Sequence, residues 1–251
     1  MKIFITSLTL IFLSLFAHAH GDTEQRFTIE PVNGGHIQAG QSEYSFQIFD
    51  AVTKKPVSGM DLIDSHTKKL HFIAYDAALK EFNHVHPVYD GKIWKVSLSL
   101  PVDGNYRFWA QGKLLDNTEF SALTEAMVMG GSSENKVSPL GEMRTSENAN
   151  SKIVLSDIKI KAGQMAMLDF TISRTDGLEP LLTPYLGAFA HVIATPSDGD
   201  ELTHVHPVQG SKPFTGLLHA TFPSAGDYRL WVQLNDRGEL KTFALSVTVL
   251  K

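Results

Sequence analysis

The stretch LHFIAYDAALKEFNHVHP (Leu70–Pro87) returns later in the chain as AHVIATPSDGDELTHVHP (Ala190–Pro207). Each copy opens on a short apolar run, passes through polar turn residues and closes on His-Val-His-Pro. Such a run bounded by turn signals suits a buried β-strand. A hairpin pairing Tyr75 with Phe82 puts Ile73 opposite His84 and His71 opposite His86, so three imidazoles share one face. The second copy supports the same construction with His191, His204 and His206.

Working outward, each copy is followed by a matching strand, Gly104–Gln111 (GNYRFWAQ) and Gly226–Gln233 (GDYRLWVQ). Tyr106 and Phe108 alternate with Arg107 and Trp109, and Tyr228 and Leu230 with Arg229 and Trp231. One face of each strand is therefore expected to fill a core. The arginines could stack on tryptophan or reach a site histidine, but a packing role is the better expectation. Further strands are predicted near Phe27–Pro31, Tyr44–Phe49, Lys92–Leu98 and Phe120–Met129. In the second half they lie near Ile153–Ile160, Met165–Ile172, Gly216–Thr221 and Thr242–Leu250. Outside the first residues no stretch sustains a 3.6-residue apolar period. Seven short strands per half, with regular turns, predict an all-β protein of two tandem immunoglobulin-like β-sandwich domains. Domain one takes residues 20–130 and domain two residues 151–251. Residues 131–150, rich in Gly, Ser, Asn and charge, read as a linker.

Residues 1–19 read as a signal peptide: Lys2, then the apolar run Ile3–Phe16, then Ala17-His18-Ala19. The run is too short to span a membrane stably. A periplasmic or secreted protein starting at His20 is expected, with no membrane insertion after cleavage. The chain has no cysteine, which excludes disulfides, iron–sulfur clusters and thiolate zinc sites. Its net charge of −5 and lack of a basic stripe argue against nucleic acid. No nucleophile elbow, Ser-His-Asp order or phosphate loop is found, so an enzyme is not expected.

What remains is histidine chemistry. Neutral imidazole is the commonest protein metal ligand, and imidazole without thiolate suits copper, zinc or nickel, with copper leading the affinity order. The candidate ligands are His71, His84 and His86 in domain one and His191, His204 and His206 in domain two. His20 joins them, because cleavage after Ala19 would give it both an α-amine and an imidazole. Pro87 and Pro207 serve the backbone, since proline ends a strand. Met127 and Met129 could offer thioethers to Cu(I), but they and Met165 and Met167 are expected to pack. His36, His66 and His219 have no counterpart in the other half and are treated as surface or locally bonded.

The His-containing hairpin with NYRFWAQ downstream resembles a domain of bacterial secreted proteins. The segment before it, with Ala39-Gly40 and Lys55-Pro56-Val57, is similar to Ig-like modules of the YtkA and CopC type. The start His20-Gly21 likewise resembles the amino terminus of CopC-like copper carriers. The resemblance implies a periplasmic module that captures, buffers or delivers copper, or zinc in second place. It departs from CopC-like proteins in having two tandem domains and no Met-rich loop. The competing expectation is a tandem Ig-like module with a structural or protein-interaction role, its partner lying in the cell envelope.

Overall fold

The computed structural model describes residues 26–32, 34–197, 201–205 and 207–251, with the backbone alone at residue 204. The segment expected to be a signal peptide, and His20 with it, lies outside the described residues. So do His206 and the side chain of His204.

Each half of the chain is a sandwich of two sheets, as expected from the short alternating strands. In domain one the first sheet runs Phe27–Pro31, Gly40–Asp50, Trp94–Leu100, Val88–Tyr89, with Lys55–Pro56 also paired to Gly40–Asp50. The second runs His36–Gln38, Glu119–Met129, Gly104–Leu114, Leu70–Asp76, Phe82–Val85, with Leu62–Ile63 added to Gly104–Leu114. Domain two repeats the plan. One sheet runs Thr145–Asn148, Ser151–Leu155, Met165–Arg174, Thr215–Thr221, Val208–Gln209. The other runs Ile160–Lys161, Glu239–Leu250, Gly226–Asp236, His191–Pro196, Thr203–Val205, with Leu182–Thr183 on Gly226–Asp236. The architecture is a pair of tandem immunoglobulin-like sandwiches.

Alternation builds each core. Tyr44, Phe46 and Ile48 from one sheet meet Phe72, Tyr106 and Phe108 from the other. In domain two Leu168, Phe170 and Ile172 meet Val192, Leu230 and Phe243. Phe170 needs room across the strand pair, where its register partner is Gly216. A Cβ built on Gly216 would come within 2.2 Å of the Phe170 ring. Gly216→Ala is therefore expected to cost about 1–3 kcal/mol through overpacking, read as a lower urea midpoint; an unchanged midpoint would show that the ring gives way freely.

Three sequence expectations need correction. The segment read as linker is ordered and takes part in the fold. Ser132 bridges Val102, Met143 bridges Ser246, and Thr145–Asn148 is the edge strand of a domain-two sheet. Ile153–Ile160 is not one strand: Ser151–Leu155 lies in one sheet, whereas Ile160–Lys161 pairs in parallel with Val249 and Leu250 in the other. The methionines expected to pack point outward, with Met129, Met165 and Met167 more than half exposed and Met127 at 36%. On those strands the even positions Val128, Ala166 and Leu168 take the core side, and alternation turns the methionines out.

One feature of burial goes beyond a single sandwich. Every residue of Leu70–Asp76 and of His191–Pro196 is buried. A strand with one face on a core and one on water would alternate, so something covers the second face. The cover is the other domain. Ile73, Tyr75, Leu79 and Trp109 pack with Ile193 and Trp231 in one apolar cluster, joined by Phe82, Leu140 and Leu202. Ile73 faces Trp109 across its strand pair and Ile193 faces Trp231 across the matching one. The domains thus meet through equivalent faces. Tyr75 ties the seam with polar contacts as well: its hydroxyl accepts from Trp109 Nε1 at 2.8 Å and lies 3.3 Å from Thr195 Oγ1 of the other domain.

Candidate metal centre

The hairpin has the register that the alternation predicts. Phe72 pairs with Val85, Ile73 with His84, Ala74 with Asn83 and Tyr75 with Phe82. Ile193 pairs with His204 in the same way in domain two. His86 lies just beyond the ladder rather than opposite His71 within it. Pro87 follows, and the chain crosses from the Phe82–Val85 sheet to the Val88–Tyr89 sheet. Proline suits that corner because it cannot donate to a ladder. His86 is thereby swung back toward the ring of His71.

His71, His84 and His86 do converge. One ring nitrogen from each can be chosen so that all three lie within 4.8 Å of one another. The ring centroids are 4.9 Å apart for His71 and His86, 5.1 Å for His84 and His86, and 5.3 Å for His71 and His84. His71 and His84 are buried and His86 is half-buried.

The outer partners fix which nitrogens face inward. His71 Nε2 lies 2.9 Å from the Ser65 carbonyl, which can only accept, so Nε2 carries the proton. That leaves Nδ1 with its lone pair. His84 Nδ1 donates to Gln233 Oε1 at 2.8 Å, which leaves His84 Nε2 as the lone-pair nitrogen. Gln233 is oriented in turn by its own amide, whose Nε2 donates to Thr242 Oγ1 at 3.0 Å. The two lone-pair nitrogens, His71 Nδ1 and His84 Nε2, face each other at 3.1 Å. Two neutral acceptors repel at that distance, and a cation between them removes the repulsion. Two nitrogens on one tetrahedral zinc, each about 2.0–2.1 Å from it, would stand roughly 3.3 Å apart. His86 Nε2 is buried without a hydrogen-bond partner among the described residues, a third donor left over.

Burial keeps these rings neutral. It pushes His86 down to about 3 and His84 well below the usual imidazole range, and nearby imidazoles push the same way. His71 is lowered too, chiefly by burial, against the raising effect of its bond to Ser65. Metal ligation requires neutral imidazole, so no proton need be displaced near neutral pH. Two surface clefts reach the cluster, one bordered by Ser65, His66 and His71, the other by Lys68, His84 and His86.

Of the domain-two candidates, the side chain described is that of His191, and it lies beside the domain-one cluster. His191, fully buried, donates from Nε2 to the Tyr185 carbonyl at 3.0 Å, as His71 does to Ser65. Both carbonyls belong to two-residue turns whose central residues have positive φ, His66 and Thr67 in one and Leu186 and Gly187 in the other. The His191 ring stands 5.8 Å from His84 and 6.5 Å from His71, across the domain seam. His66 is exposed, in keeping with a surface or locally bonded residue, and its ring centroid lies 5.9 Å from that of His191. Sequence reasoning missed Gln233, though Gln111 and Gln233 close the two repeated strands and could have marked it. Gln111 donates to Ser121 Oγ at 3.2 Å, much as Gln233 does to Thr242. His36 pairs in register with Met127 and exposed His219 with Met167, both away from the cluster. Trp109 and Trp231 face the seam rather than the imidazoles, in keeping with a packing role.

Residues 146–251 match the family described as Domain of unknown function (DUF8832). No curated protein matches the chain. Among solved structures it is similar to the fibronectin(III)-like modules of Clostridium thermocellum CbhA, at 13% identity over 89% of this chain and 94% of that one, with a TM-score of 0.25. Invasin, a bacterial integrin-binding protein, matches at 14% identity over 89% of this chain and 39% of its own, with a TM-score of 0.27. The D00-D0 domain of intimin matches at 10% identity over 90% of this chain and all of that one, with a TM-score of 0.25. Among the described residues no helix is long and apolar enough to cross a membrane.

Proposed function

We propose that the protein is an exported tandem Ig-like module that captures a divalent transition-metal ion, copper first and zinc second, through His71, His84 and His86. The observation that carries this reading is the pair of inward lone pairs at 3.1 Å, fixed by outer bonds to Ser65 and Gln233. Hydrogen bonds that orient a ligating imidazole from behind are the usual companions of a metal centre. Three imidazoles with no thiolate favour copper over zinc by the general affinity order. Capture, buffering or delivery outside the cytoplasm follows from the expected leader and from the resemblance to copper-handling modules.

A second reading has its own support. Ser65 holds His71 from one side, and Gln233 of the other domain holds His84. On that reading the histidines fasten two domains of an interaction module and bind no ion. Calorimetric titration of the untagged chain from His20 with Cu(II) and Zn(II) separates the two. Metal capture predicts tight binding by the parent, weakened on the order of a hundredfold or more in His71→Ala and His84→Ala, since even outer partners are worth 10–100-fold. Equally weak binding by parent and variants would leave the fastening role.

A further inference from the structure

The sequence suggests two three-imidazole sites, one per domain. Among the described residues, the structure brings His191 of domain two to the seam beside His71 and His84, and the triad of domain one depends on a residue of domain two. We propose that this triad is an interdomain clasp, in which metal binding and docking of the domains are a single coupled equilibrium. The proposal rests on the metal-capture reading above.

The coupling follows from tautomers. A metal at the triad needs the lone pair of His84 Nε2, and therefore a proton on His84 Nδ1. The acceptor holding that proton is Gln233 Oε1 at 2.8 Å, contributed by domain two. Gln233 is buried and anchored within domain two on Thr242, so its carbonyl has a fixed orientation and reaches His84 when the seam is closed. His191 lies next to the triad on the domain-two side. The apolar contacts beside it, Tyr75 and Phe82 against Trp231, hold the same seam. Undocking removes the Gln233 carbonyl and the neighbouring His191 ring together, and lets His84 rotate or change tautomer. By linkage, whatever factor docking adds to metal affinity, the metal returns to docking.

The test uses the intact chain and Zn(II). The parent is expected to bind Zn(II) tightly at the triad. Gln233→Leu should bind about 10–100-fold more weakly, the range for loss of an outer hydrogen bond. Gln233→Glu keeps an acceptor for His84 Nδ1–H and should restore the parent affinity. A purely structural Gln233 would give the opposite order, because a buried carboxylate penalises folding more than leucine does. A second measurement needs no variant: in nitrogen–proton NMR spectra, the Gln233 side-chain amide and the Trp231 indole should shift with the first equivalent of Zn(II).

No binding by the parent would overturn the metal reading itself. Binding by the parent with Gln233→Leu within twofold of it, and an unmoved Gln233 amide, would overturn the clasp and leave metal capture standing.

Discussion

Trp231→Ala is expected to cost about 3–5 kcal/mol, the usual range for deleting a buried aromatic side chain, and to split one unfolding transition into two. Trp231 is 1% exposed, yet it lies on the outer face of its own sandwich. Its ring stacks on Phe82 of domain one with centroids 4.4 Å apart and planes 16° apart, and on Tyr75 at 5.4 Å and 30°. Its Nε1 has no partner among the described residues, so alanine forfeits area and stacking but no hydrogen bond. Most of that loss falls between the domains, because the core of domain two, with Leu230 and Val232 on the same strand, keeps its packing. Each sandwich should then melt on its own. Trp231→Phe retains the stack and is expected to stay within about 1.5 kcal/mol of the parent. Scanning calorimetry on the three proteins checks this, and a single transition moved by less than about 1 kcal/mol in Trp231→Ala would remove the seam from any account of stability.

The strands and the hairpin register were legible in the sequence because both rest on a period of two, and the repeat supplied the alignment. Ile73 falls opposite His84 for the reason that Phe72 and Ala74 must face the core. The seam was harder to see. LHFIAYD announces a strand buried on both faces, but period alone cannot say what covers the second face. Ile73, Tyr75 and Trp109 could have met a loop, a helix or another chain, and only the folded molecule shows Ile193 and Trp231 against them. Gln233 was overlooked for a related reason: glutamine on a strand reads as a solvent-facing residue until an acceptor is needed there. The 131–150 segment misled by composition, since Leu140 reaches the seam and Met143 bridges Ser246 through bonds that carry no side-chain signature.

Acidification should weaken the metal-free protein between about pH 6.5 and pH 4, and the sign follows from which state takes the protons. In the unfolded chain each imidazole titrates near 6.5. In the folded protein burial holds His86 at about 3 and His191 at about 4, with His84 and His71 also lowered. Neighbouring groups push the same way, Lys68 on His71 and His86, and His66 on His71 and His191. Below pH 6.5 the unfolded state therefore binds protons that the folded state refuses, and stability falls as pH falls. Each such imidazole contributes at most about 1.4 kcal/mol per pH unit, and four of them lie at one seam. Above pH 6.5 they are neutral in both states and contribute no slope. Urea midpoints at half-unit steps from pH 4 to pH 8 should show a plateau above pH 7 and a steep decline below pH 6. In His71→Asn/His191→Asn the decline should be shallower, because two of the refused protons are gone. A parent midpoint constant down to pH 4 would mean that the rings are already solvated in the folded protein. Neither a dry metal centre nor a closed seam could then be built on them.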